Sequence, residues 1–267
     1  MADIVSTVRI GAVARNTFRE ALRNRAFMGL VAFSIAFILL SLALSEMAVV
    51  GQEARVVQSF GFFAISLAGA ITAVVMGALL VYKEIERKTI YTIVSKPIHR
   101  HEFIIGKLFG LIGILIVQVA ILGIVWAMVT SIQGGDVGAE HLKGIALIVL
   151  EVSLVACVAV MFSAFSSPVL TGLFSLGVFA TGRLIPLIEE MLSANRGLFV
   201  ENAFARFVGE AAVTVLPDLS VFNVSQQVLL GVPVHLSYMG EAIVYALAYG
   251  LVFLVIAIWA FERRDFI

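Results

Sequence analysis

Six apolar stretches, each close to the length that crosses a bilayer, constrain this chain more than any other feature. A hydrocarbon core about 30 Å thick requires roughly 20 apolar residues of helix. Backbone polar groups in lipid must be satisfied within the segment, and the alternating pattern of barrel strands is missing, so the spans are helices. The sequence predicts an all-α, polytopic membrane protein with a single transmembrane domain. The predicted spans are 26–47, 57–82, 108–132, 144–166, 169–188 and 237–261.

The distribution of Lys and Arg predicts the orientation, because cytoplasmic loops carry the excess of positive charge. Most of the 18 basic residues precede the first span, lie in the segment 83–107 or close the chain. The others are scattered among acidic residues on the opposite face. We therefore expect a multi-pass protein of the bacterial inner membrane with both termini cytoplasmic. No cleaved signal peptide is expected. Nucleic acid is not expected among the partners.

Residues 9–23 form an amphipathic pattern ahead of the first span. On a helical wheel the arginines and Glu20 share one side, while Phe18, Leu22 and other apolar residues share the other. Such a stripe suits a helix in the inner membrane interface, with its arginines near anionic headgroups. A basic topology signal with incidental helicity is the alternative.

The sequence lacks the motifs of an enzyme. It contains no GxxxxGK[ST] phosphate loop and no GxSxG elbow, so it has no usual means of binding and hydrolysing ATP. Its single cysteine, Cys157, lies in a span, and its four histidines have no metal-binding spacing. We predict no catalytic residue, no metal and no cofactor in this chain.

Glu151 and Arg183 lie at similar depth inside the fourth and fifth predicted spans. An ionisable group in the membrane is costly and is a functional candidate. The first interpretation is a pair that fixes the packing of the two helices. Lining of a substrate path and a proton relay are the alternatives. Gln118, in the third span, is predicted to form an interhelical hydrogen bond.

Small residues in the second and fifth predicted spans indicate that these two spans pack closely against neighbouring helices. Gly69 and Gly77 in the second span, and Gly172 and Gly177 in the fifth, could each admit a neighbouring backbone. The GxxxG spacing of Gly106 and Gly110 has the same character.

The segment 189–236 between the last two spans is too long for a simple turn and too apolar for a solvated loop. Its apolar runs are too short to span a bilayer, and prolines interrupt them. We expect short helices at, or dipping into, the outer leaflet as a lid over something between the spans. A structural cap without substrate contact is the alternative.

The charged segment 83–107 is predicted as a cytoplasmic helix followed by a turn. Residues 83–94 contain no Gly or Pro, and Pro97 ends the helical pattern. Tyr91, Ile93 and Ile98 are apolar groups among charges, which indicates a docking surface.

Six motifs in order carry a resemblance to a known family: NTFREALRNR before the first span, EIERKTI, SKPIHR and EFIIGK in the segment 83–107, LPDLSVFN before the last span, and FERRDF at the end. The chain resembles exporter permeases of the ABC-2 type, in the group known for copper-enzyme maturation, sodium export and gliding motility. The dispersed Cys, His and Met residues give no support to copper as the cargo.

The resemblance implies a half-transporter that works with two copies of a separate ABC ATPase subunit, which binds ATP and Mg. It also implies a second permease copy, in a homodimer or a heterodimer, and leaves a periplasmic partner open. Residues 9–23 correspond to the elbow helix of the family, and the loop helix corresponds to its coupling helix. The coupling residues carried over are Glu84, Glu86, Arg87, Thr89, Tyr91, Lys96, Pro97 and Arg100.

The expected function is that of a permease subunit, with export as the favoured direction. A mechanotransmitter of an envelope complex shares every one of these features except cargo. A secondary transporter would require repeated halves and several ionisable groups in the membrane, and neither is present.

Overall fold

The computed structural model of the chain describes residues 2–86, 99–194 and 203–263, with the side chains of 2–5 and 80–86 excepted. Within these residues the chain forms helices and no strands. The helices are α1 (Ala2–Leu22), α2 (Arg25–Ser45), α3 (Glu53–Glu86), α4 (Arg100–Ile132), α5 (Ala139–Ser163), α6 (Pro168–Ser193), α7 (Ala203–Val215), the 3-10 helix η1 (Leu219–Phe222), α8 (Ser225–Leu229) and α9 (Leu236–Glu262).

Six of the described helices, α2 to α6 and α9, are long and apolar enough to cross a membrane. The predicted class is confirmed: the chain is an all-α, polytopic membrane protein. Between α6 and α9, α7 meets the segment Leu219–Leu229 at an angle of 48°, and this bent pair is apolar enough to form a broken span or a re-entrant loop. The segment 189–236 thus contains short helices, with α6 extending into it as far as Ser193.

Two helices continue well past the spans predicted from the sequence. α3 has 34 residues and α4 has 33. At 1.5 Å per residue each is about 50 Å long, against a hydrocarbon core of about 30 Å. Charged residues lie at the end of α3 and at the start of α4, so both helices extend beyond the membrane towards the loop that joins them. In the segment 83–107, predicted as a cytoplasmic helix over 83–94 followed by a turn, residues 83–86 form the end of α3 and residues 100–107 form the start of α4.

The core lies among α3, α4 and α5, where most of the fully buried side chains are found. Around them, α2, α6 and α9 expose mainly apolar side chains, as lipid contact requires. α3 and α5 approach closely at two glycines: a Cβ on Gly69 would come within 2.6 Å of Val152, and one on Gly77 within 2.7 Å of Ala159. The packing role predicted for Gly69 and Gly77 is therefore present.

The glycines of α6 behave differently from that prediction. A Cβ on Gly172 or Gly177 would meet nothing within 4 Å. These two glycines therefore bring no described element of this chain close to α6. The close contact on this helix is instead at Gly182, where a Cβ would lie 2.7 Å from the carbonyl oxygen of Pro217.

α1 packs along the first turns of α4. A Cβ on Gly106 would come within 2.7 Å of the Val13 side chain, and one on Gly110 within 2.6 Å of Thr17. The GxxxG spacing at the start of α4 thus receives α1. This helix, expected in the membrane interface, also has a protein surface to rest on.

Candidate functional site

The residues predicted to couple the chain to an ATPase lie around the loop between α3 and α4. Glu84 and Glu86 belong to the last turn of α3, and Arg100 is the first residue of α4. The other predicted coupling residues, Arg87, Thr89, Tyr91, Lys96 and Pro97, lie outside the described residues.

Residues 100–110 of α4, here called the stalk, are tied to the end of α9. Arg100 Nη1 donates to the carbonyl oxygen of Glu262 at 2.9 Å. The rings of Phe103 and Phe261 stack with 6.1 Å between centroids. At the start of the stalk, the backbone N–H of His99 donates to the Glu102 carboxylate at 3.0 Å, which caps the helix.

α1 contributes charged partners to the same stalk. Arg9 lies 3.7 Å from the carboxylate of Glu102, and Glu20 lies 3.9 Å from the ammonium of Lys107. Glu102 and Lys107 are almost fully buried, so each needs an opposite charge nearby. The sequence analysis placed Lys107 at the end of the charged segment 83–107, at the entry to the third span. The neighbouring GxxxG spacing was the signal that a helix would cover it.

A second polar site lies within the bundle, where Glu151 and Arg183 form the ion pair expected from their similar depths. Arg183 Nε donates to Glu151 Oε1 at 2.7 Å, and Nη2 donates to Oε2 at 2.9 Å. Ser66 Oγ donates to Oε2 at 2.8 Å and also contacts Arg183 Nη2. Glu151 is completely buried. The site therefore joins α3, α5 and α6 through three side chains, and Ser66 is the member that the sequence did not reveal.

Gln118 forms the interhelical hydrogen bond that was predicted for it. Its Nε2 donates to Thr72 Oγ1 at 2.9 Å, which links α4 to α3. Both side chains are fully buried. The bond stabilises the core, and Gln118 does not line the cavity described next.

A cavity of about 660 Å³ lies at the end of the bundle opposite the α3–α4 loop. Its walls come from the first half of α3, from α5 and α6, and from the segment 222–230. We call it the lid cavity, and residues 216–235 the lid. Its polar lining residues are Gln52, Arg55, Ser59, Ser66, Arg183, Asn223 and Ser225, and its aromatic lining residues are Phe60, Phe62, Phe63 and Phe222.

The lid is held to the bundle at both of its ends. Near its end, the backbone N–H of Val234 donates to Glu140 at 2.7 Å, and Lys143 donates to the Val234 carbonyl, also at 2.7 Å. Glu140 and Lys143 also pair with each other at 2.8 Å. At its start, the N–H of Asp218 donates to the hydroxyl of Tyr245 at 2.7 Å. The lid is therefore anchored by α5 and α9.

The lid also buries its own apolar side chains. Leu219, Phe222, Val224 and Val228 are almost fully buried. The LPDLSVFN motif supplies the turn that places them, because Asp218 Oδ1 accepts from the N–H of Ser220 at 2.8 Å and caps η1. The expected lid thus forms one wall of a cavity.

A bundle of six apolar helices around a buried ion pair defines a multi-pass α-helical membrane protein. Residues 11–266 match the family model described as ABC-2 family transporter protein, and the chain belongs to this family. It is a permease subunit of an ABC transporter, and the family implies an ABC ATPase as its partner. No curated protein matches the chain.

Proposed function

We propose that this chain is the membrane half of an ABC exporter in the bacterial inner membrane, with both termini cytoplasmic. It docks through the loop between α3 and α4 on an ATPase subunit, and that subunit supplies ATP binding and hydrolysis. The observation that carries this proposal is the family match over residues 11–266. The excess of Lys and Arg in the segment 83–107 supports a cytoplasmic position of the docking loop.

The architecture of the stalk supports a role in coupling. α3 and α4 both extend past the membrane towards the loop, so a force on the loop reaches two long helices directly. The stalk contacts α1 and the end of α9, through Glu102 and Lys107 on one side and Arg100 and Phe103 on the other. Movement of the loop would therefore be shared among four helices.

The contacts of α3 inside the bundle would pass that movement to α5 and α6. α3 packs on α5 at Gly69 and Gly77, and its Ser66 joins the Glu151–Arg183 pair between α5 and α6. Closure of two ATPase subunits on ATP would push the loop, and α3 would carry the displacement to α5 and α6. In this way binding energy from the partner would switch the bundle between inward and outward states.

The proposed assembly contains two permease chains and two ATPase chains, with ATP and Mg held by the ATPase. A second copy of this chain or a similar chain completes the membrane unit, and a periplasmic partner can join it. The resemblance to exporter permeases supports the outward direction. Mechanotransmission within an envelope complex is the second candidate, because the stalk would transmit movement in the same way without cargo.

The test is purification of the tagged permease in mild detergent, with identification of co-purified proteins and an ATPase assay. Wild type is compared with Glu86→Arg, at the last residue of α3, and with Arg206→Glu on α7, which belongs to the segment predicted on the opposite face. We expect wild type and Arg206→Glu to recover an ABC ATPase and its activity, and Glu86→Arg to lose both. A stable wild-type permease that never recovers an ATPase would overturn the proposal.

A further inference from the structure

The lid cavity is accompanied by a second, smaller space. A groove of about 270 Å³ runs between α3 and α6 and is lined by Leu67, Phe179, Ala180 and Leu184 together with three residues of the lid cavity, Phe63, Ser66 and Arg183. This side groove is almost wholly apolar apart from Ser66 and Arg183. The two spaces therefore meet at Arg183. The lid cavity has both polar and aromatic lining residues, whereas the side groove is mainly apolar.

Arg183 reaches this junction with bonding capacity to spare. Its Nε and Nη2 are used by Glu151 and Ser66. Its Nη1 has no acceptor among the described residues, and the Arg183 side chain keeps 21% of its surface exposed. A guanidinium carries donors on all three nitrogens, so Nη1 can donate to a ligand without disturbing the ion pair.

Arg55 adds a second positive charge to the lid cavity. Its side chain is exposed and donates to the neutral Gln52 side chain at a long 3.4 Å. Among the described residues that line the cavity, Arg55 and Arg183 are the charged ones, and no carboxylate lines it. Glu151 neutralises the charge of Arg183, so the net positive charge of the lining comes from Arg55, and this charge attracts anions.

The remaining lining residues limit the kind of anion. Phe60, Phe62, Phe63 and Phe222 offer aromatic surface, and the side groove offers aliphatic surface next to Arg183. A small inorganic anion would leave all of this surface without contact. A cavity of about 300–1,000 Å³ suits a ligand of drug-like size, and the lid cavity falls in this range.

We propose that the lid cavity and the side groove together bind an amphiphile with an anionic headgroup. The headgroup lies between Arg55 and Arg183 Nη1, and the aliphatic chain lies in the side groove against Leu67, Phe179 and Leu184. The site belongs to a single chain. That the amphiphile is cargo rests on the proposed function, whereas its binding does not.

The probe is stearic acid with a nitroxide on its chain, which quenches a nearby tryptophan. The chain has two tryptophans, and Trp126 is completely buried with its ring 4.9 Å from that of Phe62, a lining residue. In a Trp259→Phe background the fluorescence reports on Trp126 alone. The purified full chain in detergent is titrated with this fatty acid, and with phosphatidylglycerol and phosphatidylcholine that carry the same labelled chain.

We expect saturable quenching by both anionic probes and little by phosphatidylcholine. Stronger quenching by the fatty acid would assign a carboxylate head, and stronger quenching by phosphatidylglycerol a phosphate head. Free glycerol phosphate should not displace either probe. Equal quenching by phosphatidylcholine and phosphatidylglycerol, or full displacement by glycerol phosphate, would overturn the proposal.

Three variants locate the binding site. Arg55→Gln should weaken binding about tenfold, because a charged hydrogen bond is lost, whereas Arg55→Lys should retain most of the affinity. Ser59→Phe fills part of the lid cavity without changing its charge or adding a tryptophan to the fluorescence assay, and it should abolish binding. Arg206→Gln, on an exposed pair with Glu210 outside the cavity, is the control and should bind as wild type. Unchanged binding by Ser59→Phe would show that the probe sits elsewhere.

The outcome is separable from that of the ATPase experiment. The quenching assay needs no ATPase, so binding with no recovered partner would sink the exporter and leave the amphiphile site standing. If an ATPase co-purifies with the permease but the permease binds no anionic probe, the amphiphile site is overturned and the exporter proposal stands.

Discussion

Arg183 on α6 holds both carboxylate oxygens of Glu151 on α5, with Nε–Oε1 at 2.7 Å and Nη2–Oε2 at 2.9 Å. Glu151 is the central residue of α5 and has no exposed surface. A charge so placed is tolerated because a bidentate partner and the Ser66 hydroxyl satisfy it. The pair therefore couples the position of α5, which is mostly buried in the bundle, to that of α6, which is mostly exposed.

Removal of one member of this pair should cost more than removal of both charges. Arg183→Ala leaves a buried carboxylate unpaired, and we expect a loss of about 3 kcal/mol of stability. The double variant Glu151→Gln with Arg183→Gln keeps the polar contacts without charge and should lose less. Thermal unfolding in detergent measures both. A double variant less stable than Arg183→Ala would contradict this account, and Arg206→Ala serves as the exposed control.

Gly106→Ala should loosen the contact between α1 and the stalk. The new methyl would lie 2.7 Å from Val13, and overpacking of this kind costs about 1–3 kcal/mol. The matched control is Gly29→Ala in α2, where a Cβ meets nothing within 4 Å and the gain in helix propensity is the same. Limited trypsin digestion at the arginines of α1 should become faster only in Gly106→Ala. Equal digestion of the two variants would mean that α1 does not depend on this contact.

Lys143→Ala should release the end of the lid. It removes a 2.7 Å hydrogen bond to Val234 and leaves Glu140 without its ion-pair partner. The reporter is Val228→Cys in a Cys157→Ser background, because Val228 is a buried residue of the lid and Cys157 is the sole native cysteine. We expect labelling of position 228 by a soluble thiol reagent to rise several-fold. No change in the labelling rate would show that the lid stays closed without Lys143.

Tyr245→Phe should weaken the start of the lid by about 1 kcal/mol, the usual net value of one hydrogen bond. The hydroxyl accepts from the N–H of Asp218, and its loss leaves that N–H without this acceptor. The melting temperature should fall while the helix content stays the same. An unchanged melting temperature would indicate that water replaces the hydroxyl.

The class of the protein could be predicted from the sequence because lipid permits few solutions. Runs of apolar residues near the bilayer length can only be helices, and the family motifs named the ABC-2 permeases, as the family match confirms. The Glu151–Arg183 pair could also be predicted, because an unpaired charge inside a membrane is costly and these two opposite charges lie at one depth.

The contacts of individual faces were harder to predict. Gly69 and Gly172 look alike in sequence, yet one packs on Val152 and the other meets nothing within 4 Å. Lys107 looks like a solvated residue until α1 covers it. The lid cavity depends on residues from four separate segments, and Arg55 had no feature in the sequence that set it apart. Such properties arise from tertiary packing, which a linear pattern records poorly.

The two glycine contacts near the middle of α3 divide this helix into two arms. Its arm from Gly77 to Glu86 is about 14 Å long, and its arm from Gly69 to Glu53 is about 24 Å, at 1.5 Å per residue. Spin-label distances from each arm to α5, with and without ATP in the assembled transporter, would measure any swing. If α3 turns about these glycines, a small push at the loop would move Arg55 in the opposite direction. Because the arm that carries Arg55 is the longer one, the displacement at the lid cavity would be larger than the displacement at the loop.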